Sequence, residues 1–443
     1  MENTYSKLFK CSVHGTIRVS SMALKIIDSI EFQRLRSIKQ LSLCYLVFPS
    51  AVHTRFEHSL GVYHLTGVLL DRIRKLYPNK EYYINEFKKN IVLNDFYAEI
   101  IMIAGLCHDI GHGPFSHTFD NYFVGHIDHP NKCHEIRSGL IIEKIIKREL
   151  HDVLTDEHIS FIKALIHPEY NDKNCALYDI VSNAKNGIDV DKMDYLSRDT
   201  KTLGMNRGID IMRMLNEIII DENENICFPK HCSSDILDLF HTRYMMHKQI
   251  YNHKTVKILE VMLYDIFRLI DPIFKFSETI YDMDKFCRIT DNSFIFAINS
   301  IINPPSFISI NLTPNQLAAI TEANKIFTKI SSRKLYKSIL DSMDQSSLEK
   351  IESFFKKHPD LNHNDFEIIK CTFGYHTSKS NDPFSFIYFY DKKEEGKSFT
   401  MTKNQVTSII NDKYLETHIH FICRHIYLVG RVRHLWKEFI NNV

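Results

Sequence analysis

Thirteen consecutive residues, Gly105-Leu-Cys-His-Asp-Ile-Gly-His-Gly-Pro-Phe-Ser-His117, form the most informative pattern in this chain of 443 residues. An apolar run leads into the adjacent pair His108-Asp109, and glycines and a proline follow at once. Adjacent helical residues point about 100° apart, so both can face one ion only where a helix ends, as the glycines and the proline predict. One imidazole and one carboxylate suit Fe, Mn, Zn or Co better than Mg. The segment therefore predicts a metal centre.

Two other segments offer further ligands for such a centre. His58 lies in Arg-Phe-Glu-His-Ser-Leu-Gly, and Asp191 lies in Asn-Gly-Ile-Asp-Val-Asp-Lys-Met-Asp-Tyr. Together with His108 and Asp109 they would leave positions for water and phosphate. The alternative is that the His-Asp pair only caps a helix. The glycine-rich histidine cluster and the two extra segments favour the metal.

Two predicted helix faces carry side chains that suit phosphate and sugar. The spacing i, i+4, i+8 joins Asp191, Tyr195 and Asp199 on one face, and Arg243, His247 and Tyr251 on another, with Lys254 about one turn further on. A solvated face would show scattered Lys and Glu instead. An interhelical salt-bridge network remains the alternative for each of these residues.

Composition excludes several classes of protein. There are 55 Lys+Arg against 54 Asp+Glu, so the overall charge does not support bulk binding of polyanions. The sequence contains neither an apolar run long enough to cross a membrane nor a signal peptide. The 10 cysteines form no Cys-x-x-Cys pair. We therefore expect reduced thiols in an intracellular protein, cytoplasmic or nuclear, that does not bind membranes.

Periodicity predicts a mainly α protein with a small C-terminal α+β lobe. Helical patterns cover residues 22–76 (with a break near 48–50), 95–107, 135–150, 157–166, 178–197, 234–269 and 316–329. After residue 357 the character changes, with short strands predicted over 366–373, 384–390 and 418–423 and a short helix over 402–410. We therefore divide the chain into domains 1–357 and 358–443.

Several long motifs, in order, resemble the SAM-and-HD-domain dNTP triphosphohydrolase family of the HD superfamily. They are Phe32-Gln-Arg-Leu-Arg-Ser-Ile-Lys-Gln-Leu, Val47-Phe-Pro-Ser-Ala-Val-His-Thr-Arg-Phe-Glu-His, the segment around His108, Asn186-Gly-Ile-Asp-Val-Asp-Lys-Met-Asp-Tyr, Phe240-His-Thr-Arg and Thr402-Lys-Asn-Gln-Val. The resemblance implies an HD-domain helical core with an N-terminal regulatory segment. We expect no SAM domain, because the HD region begins almost at residue 1. It implies hydrolysis of dNTPs to deoxynucleoside and triphosphate by a homo-oligomer, a dimer or tetramer, with GTP and dNTP activators. Weak binding of single-stranded nucleic acid is a further expectation.

The resemblance also assigns residues to the active site. His58, His108, Asp109 and Asp191 match the metal ligands, and His112, His117, Asp120 and His134 match the catalytic and supporting cluster. His117 is the candidate general acid for the 5′-oxygen, with Asp120 orienting it; packing around the metal ligands is the alternative. Arg55, Lys192 and Arg243 match phosphate-binding residues, and Gln40, Leu41, Tyr195, Asp199, His247 and Tyr251 match the substrate pocket, where Leu41 and Tyr251 would crowd a 2′-hydroxyl.

The regulatory positions match less evenly. A guanine nucleotide would be bound by Lys7, Asp28, Gln33 and Arg36, and a second activator by Asp210, Arg213, Lys254, Arg333, Lys337 and Lys403. The family's Asn-Asp-Pro motif is replaced by Lys10-Cys11-Ser12, and Pro229 and His231 stand where basic residues occur. These departures put the identity of the activators, or the need for them, in doubt.

We expect a metal-bound water to attack the α-phosphorus while Mg²⁺ accompanies the triphosphate. Two other functions use the same motifs. An HD phosphodiesterase or nucleotidase would share the metal site but would need neither the 3′-hydroxyl contacts nor the triphosphate clamp. A non-catalytic nucleotide or nucleic-acid sensor would not need the complete ligand set.

Overall fold

The structure is a computed structural model and describes residues 5–169, 175–205, 209–302, 311–342, 348–358, 361–375, 382–393, 397–408 and 413–441. The chain forms two compact units. Unit 1 comprises Met1–Arg243, Ser277–Asn292 and Asn381–Asp412, and unit 2 comprises Tyr244–Phe276, Ser293–Ser380 and Lys413–Val443. The predicted domain division after residue 357 is not tested by these units and stays a prediction.

Helices make up most of the described chain. In order they are α1 Ser21–Ile27, α2 Ile30–Gln33, α3 Arg55–Leu76, α4 Asp95–Cys107, α5 His134–Glu149, α6 Asp156–Ile166, α7 Val190–Thr202, α8 Ile211–Glu217, α9 Ser233–Met246, α10 Lys254–Phe274, α11 Met283–Phe286, α12 Asp291–Ile302, α13 Pro314–Ser331, α14 Leu348–Lys356, α15 Lys403–Val406 and α16 Val429–Asn441. Within the described residues, no helix combines the length and the apolar character that crossing a lipid bilayer requires.

The strands are short and form four small sheets. They are β1 Tyr5–Cys11, β2 Gly15–Ser20, β3 Glu81–Ile84, β4 Lys89–Val92, β5 Ile219–Ile220, β6 Ile226–Pro229, β7 Lys337–Ser342, β8 Phe366–Gly374, β9 Tyr388–Tyr390, β10 Ser398–Thr400 and β11 Leu415–Cys423. β1 with β2 and β3 with β4 form antiparallel hairpins. A four-stranded sheet has the order β10-β9-β6-β5, with β6 and β9 parallel, and a three-stranded antiparallel sheet has the order β7-β11-β8.

The core of unit 1 is built around α3, which packs against α4 and α7. Asn94 caps α4 by accepting a hydrogen bond from the amide of Tyr97, and the helix then buries a nearly continuous apolar run that ends at Cys107. Asp189 caps α7 in the same way through the amide of Lys192. Each cap satisfies amides that a helix start leaves without partners, so both helices begin at fixed residues.

Unit 2 has its own hydrophobic core beneath the β7-β11-β8 sheet. Phe355 of α14, Phe366 of β8, Phe421 of β11 and Trp436 of α16 belong to one buried cluster. The rings of Phe366 and Phe421 stack at 5.0 Å between centroids. β8 mixes buried with partly buried and exposed residues, whereas the last five residues of β11 are all buried, so β11 is the most deeply buried part of this sheet among the described residues.

The prediction of a mainly α protein is confirmed, although three predicted segments need correction. The pattern over 22–76 contains α1, α2 and short 3-10 turns before α3 begins at Arg55. The helix predicted over 178–197 begins only at Val190, because Gly187 has a left-handed φ of 71° and Asp189 caps the helix after it. The strand predicted over 384–390 is limited to β9, since Pro383 opens a 3-10 turn. Of the helix predicted over 402–410, α15 is found, and residues 409 and 410 lie outside the described residues.

Candidate active site

Three helix ends in unit 1 bring the four predicted metal ligands together. His58 is in the first turn of α3, His108 and Asp109 follow the last residue of α4, and Asp191 is the second residue of α7. Gly61 allows α3 and α7 to approach closely, because a Cβ there would lie 1.9 Å from Asp194 Oδ1. Local helix boundaries and one close helix contact therefore create the cluster.

The ligand atoms converge on one point. His58 Nε2 lies 3.1 Å from Asp191 Oδ1 and 3.4 Å from Asp109 Oδ2, and His108 Nε2 lies 3.3 Å from Asp191 Oδ1 and 3.4 Å from Asp109 Oδ1. His58, His108 and Asp191 form one group of three with ligand atoms within 4.8 Å of one another. Both Nε2 atoms are buried without a hydrogen-bond partner in the described part of the chain. Such atoms are costly unless something else binds them.

The opposite nitrogen of each imidazole is held by the protein. His58 Nδ1 contacts Asp194 Oδ2 at 2.8 Å, and His108 Nδ1 donates to the carbonyl oxygen of Gly105 at 2.8 Å. These contacts fix the tautomer in which Nε2 carries the lone pair, which is the arrangement of histidine ligands in metal sites. The residues present therefore fit a divalent cation held by two imidazoles and two carboxylates.

Charge around the cluster leads to the same conclusion. Burial alone would raise the pKa of Asp109, but the Arg55 guanidinium and the neighbouring histidines hold that pKa well below its usual range. Burial alone would lower the pKa of His58, whereas Asp191 and Asp194 raise it to about 10. The carboxylates thus draw a positive charge to the centre of the cluster, which a proton on His58 or a divalent cation can provide.

A second cluster lies beside the first and contains the predicted catalytic residues. His112 Nε2 is 3.3 Å from Asp109 Oδ1, and its Nδ1 is 2.5 Å from Asp120 Oδ2. The His134 ring stacks on His112 at 3.8 Å, and the His117 ring meets His112 edge-on at 5.0 Å. Asp109, His112 and His134 form another group whose ligand atoms lie within 4.8 Å of one another. The site can therefore attract more than one cation.

Asp120 has a different partner from the one that the resemblance implied. Its hydrogen bonds in the described chain go to His112 and to Arg137, so it orients His112 rather than His117. The surrounding protein lowers the pKa of His117 to about 3, and His112 and Arg55 act in the same direction, although the side chain reaches solvent. These surroundings favour the neutral imidazole of His117. Whether it donates a proton remains a proposal.

The predicted phosphate-binding cations are paired with carboxylates or neighbouring hydroxyls. Arg55 donates to Asp109 and, through Nε, to Ser116 Oγ at 2.8 Å. Lys192 Nζ donates to Asp189 Oδ2 at 2.6 Å. Burial raises the pKa of Tyr195, and the positive charges of Arg243 and Lys192 oppose that rise, which places both cations within electrostatic reach of one phenol. Arg243 is itself buried.

Two of the predicted sugar-binding residues, Gln40 and Asp199, each contact His53. Asp199 Oδ1 lies 2.7 Å from His53 Nε2, and the backbone N–H of Gln40 donates to the backbone carbonyl oxygen of His53 at 3.1 Å. Gln40 Oε1 is buried without a hydrogen-bond partner among the described residues. Leu41 follows Gln40 directly. Gln40 and Asp199 thus share a histidine that the sequence analysis did not assign.

His247 and Tyr251 belong to unit 2, where both lie in a π-helical turn after α9. Their rings are 5.0 Å apart, and His247 stacks on Phe373 at 6.3 Å. Their membership of the substrate pocket stays a prediction.

The predicted regulatory residues lie in both units. Gln33 Oε1 accepts from Arg36 Nε at 2.8 Å, Gln33 Nε2 donates to the Ile27 carbonyl oxygen beside Asp28, and Lys7 lies over the Phe9 ring. Asp210 caps α8 through the amide of Arg213, and Lys403 is the buried first residue of α15. Lys254, Arg333 and Lys337 are in unit 2. The assignment of these residues to nucleotide sites stays a prediction.

Sequence analysis missed several residues that support the site. They are His53, Ser116, Arg137, Asp189 and Asp194. Asp189 lies two residues before Asp191, and Asp194 lies three residues after it. Both are inside the motif that begins at Asn186, but the sequence does not show which side chain a carboxylate will contact. His53 likewise lies in a quoted motif.

Comparison with known proteins gives three findings. Residues 55–199 match the HD domain family. A putative HD domain-containing protein of Acanthamoeba polyphaga mimivirus is 52% identical over 99% of this chain and 97% of its own length. Proteins named deoxynucleoside triphosphate triphosphohydrolase SAMHD1 are also similar: the Dictyostelium discoideum homolog is 32% identical over 99% of this chain and 81% of its own length, and the human protein is 31% identical over 95% and 71%.

Proposed function

The chain belongs to the SAMHD1-like dNTP triphosphohydrolase family of the HD superfamily, and from that membership we propose that it is an enzyme that hydrolyses deoxynucleoside triphosphates to deoxynucleoside and inorganic triphosphate. The observation that supports this most directly is the pair of buried Nε2 atoms on His58 and His108. They face the carboxylates of Asp109 and Asp191 without hydrogen-bond partners in the described chain.

The cofactor is a divalent transition metal, Fe, Mn or Zn, held by His58, His108, Asp109 and Asp191. Such an ion supplies Lewis acidity, which activates water and neutralises phosphate charge. The residues around it do the rest. Asp194 and the Gly105 carbonyl oxygen keep both imidazoles in the ligating tautomer, and Mg²⁺ enters with the triphosphate.

Arg55, Lys192 and Arg243 hold the triphosphate. In the ligand-free structure Arg55 contacts Asp109 and Lys192 contacts Asp189. When the polyphosphate binds, these cations share their hydrogen bonds with its oxygens, and they neutralise the negative charge of the triphosphate that water attacks. Fixed charges in a buried site stabilise a transition state more than mobile water does.

His117 is the proton donor in this proposal. The oxygen of a water molecule bonds to the α-phosphorus and that water releases one proton to solvent, while the bond from phosphorus to the 5′-oxygen breaks and the 5′-oxygen takes a proton from His117. The surrounding protein lowers the pKa of His117, and the neighbouring His112 and Arg55 side chains act in the same direction. A bound triphosphate reverses that balance, because its negative charge favours the protonated imidazole. Asp120 keeps His112 in place beside it.

Substrate choice follows from the sugar. In this proposal Gln40 and Asp199 bind the 3′-hydroxyl, Tyr195 contacts the substrate, and Leu41 restricts the space for a 2′-hydroxyl. The resemblance also assigns the exclusion of a 2′-hydroxyl to Tyr251 and a role in substrate binding to His247. GTP and dNTP activators bound by the predicted regulatory residues favour an oligomer. These roles extend the family assignment to single residues.

A product assay separates this proposal from the alternatives. The purified protein is incubated with Mn²⁺ and Mg²⁺ and, in parallel, with dGTP, ATP and a cyclic dinucleotide, and the products are separated by ion-exchange chromatography. We expect hydrolysis only in the reaction that contains dGTP, with deoxyguanosine and triphosphate as the products. Opening of the cyclic dinucleotide would support an HD phosphodiesterase. Binding of dGTP without any product would support a sensor. His117→Gln is the matched variant, with binding retained and turnover lost.

A further inference from the structure

A second set of potential metal ligands lies outside the site described above. Cys133 precedes α5, Glu135 is its second residue, and His167 follows the last residue of α6. One thiol, one carboxylate and one imidazole place their ligand atoms within 4.8 Å of one another. Three different ligand types from two helices meet at this point, and none of them belongs to the catalytic cluster.

The surroundings leave room for an ion. Glu135 and His167 line a cavity of about 480 Å³ together with Glu86, Lys163, Glu169 and Tyr178. Cys133 Sγ contacts Glu135 Oε2 at 2.7 Å, whereas the exposed His167 ring has no hydrogen-bond partner in the described part of the chain. All ten cysteines are described and nine are buried, so Cys133 is the thiol with access to solvent.

We propose that Cys133, Glu135 and His167 form a binding site for a borderline divalent cation such as Zn²⁺, separate from the catalytic metal centre. A thiolate, a carboxylate and a neutral imidazole carry two negative charges, which balance the ion, and the cavity leaves a fourth position for water. Ligand atoms around a tetrahedral zinc ion lie roughly 3.3–3.8 Å apart. The ligand atoms of this trio lie within 4.8 Å of one another, so rotation of the exposed His167 ring and of the Glu135 carboxylate would bring them to that spacing.

Bound at this position, the ion joins the start of α5 to the end of α6. It also competes for the carboxylate of Glu135, whose Oε2 lies 3.3 Å from Nδ1 of His134 in the catalytic cluster. An ion bound at this site therefore restrains Glu135, the residue next to His134, and uses as ligands none of the residues assigned to the substrate pocket.

Cobalt provides the test, because a thiolate ligand gives Co²⁺ a near-ultraviolet sulfur-to-metal charge-transfer band and the catalytic centre contains no sulfur. The full-length protein is titrated with CoCl₂. We expect a band whose final amplitude corresponds to one sulfur-bound Co²⁺ per chain, in addition to any Co²⁺ at the catalytic centre, and we expect it to disappear in Cys133→Ser and in His167→Ala. It should persist in His151→Ala, an exposed-histidine control, and in Asp191→Ala, which lacks a catalytic ligand.

Alkylation gives a second measurement that does not depend on a variant. We expect ZnCl₂ to slow the modification of Cys133 by iodoacetamide at least tenfold, as measured by peptide mass spectrometry. The proposal is overturned if saturating Co²⁺ gives no band and Zn²⁺ gives no protection, or if the band survives Cys133→Ser. A band that disappears in Asp191→Ala but not in His167→Ala would also overturn it, because the sulfur would then lie at the catalytic centre.

Discussion

The assignment of Asp191 as a metal ligand and of Asp194 as a positioning residue can be tested by exchanging each for asparagine. Asp191 Oδ1 faces both free imidazole nitrogens and its side chain is 29% exposed. Asp194 is fully buried and does not face the centre. It holds His58 Nδ1 at 2.8 Å, Arg198 at 2.8 and 2.9 Å and His14 at 2.6 Å.

Asp191→Asn should therefore act mainly on metal binding, whereas Asp194→Asn should also lower the stability of the fold. Asp191→Asn removes a charged ligand, so bound metal and turnover should both be lost while thermal stability changes little. Asp194→Asn breaks a buried ion pair with Arg198, which costs about 3 kcal/mol, the low end for such pairs because asparagine keeps one acceptor. For a chain of 443 residues the melting temperature should fall by roughly 3–5 °C. Metal affinity should fall about 10–100-fold, as for other residues that orient a histidine ligand.

Elemental analysis, Mn²⁺ titration calorimetry and thermal unfolding measure these quantities, with the exposed Asp152→Asn as a control. Our reasoning is refuted if Asp191→Asn retains Mn²⁺ with unchanged affinity. It is also refuted if Asp194→Asn loses the ion without any loss of stability, because Asp194 would then be a ligand rather than a support.

Three further predictions concern the pocket, regulation and stability. Tyr251→Ala should raise turnover of ribonucleotides relative to deoxyribonucleotides by about 10–200-fold, and an unchanged ratio would mean that this phenol does not select the sugar. GTP should shift the chain from smaller species to a dimer or tetramer in analytical ultracentrifugation and Asp28→Asn should weaken that shift, whereas full dNTP turnover by a monomer without GTP would contradict the regulatory assignment. Burial raises the pKa of Asp291 to about 6 against the accepted amides of Lys39 and Phe115, so the folded state binds the proton more tightly than the unfolded state. The free energy of unfolding should then fall as the pH rises from about 4 to about 6. Over that window Asp291→Asn should become more stable relative to the natural chain by on the order of 2 kcal/mol. A stability difference between the two proteins that does not change with pH would refute this.

Features that depend on neighbouring residues were predictable from the sequence. The end of α4 just before His108 follows from local glycine and proline, and the short lobe strands β8 and β11 follow from composition. The start of α7 was placed too early, because the cap at Asp189 was not recognised. Local chemistry thus determines where helices end, provided that each cap is identified.

Features that depend on distant residues were not predictable. The partner of His58 Nδ1 is 136 residues away, and the partner of His53 is 146 residues away. A sequence pattern shows that Asp194 and Asp199 share a helix with Asp191, but it does not show which imidazole each one meets. The pairing of Asp120 with His112 instead of His117 has a different origin: both histidines lie within eight residues of Asp120, and sequence proximity does not distinguish between them.

The charges of these partners also explain why a cation belongs at the centre. Asp109, Asp120, Asp189 and Asp194 pair with Arg55, Arg137, Lys192 and Arg198 respectively, whereas in the described part of the chain Asp191 pairs with the imidazoles of His58 and His108. With neutral histidines, as metal ligation requires, the Asp191 carboxylate has no cationic side chain as its partner. A divalent ion pairs with this carboxylate and completes the buried ligand set, and its positive charge adds to that of Arg55, Lys192 and Arg243 in attracting a polyphosphate.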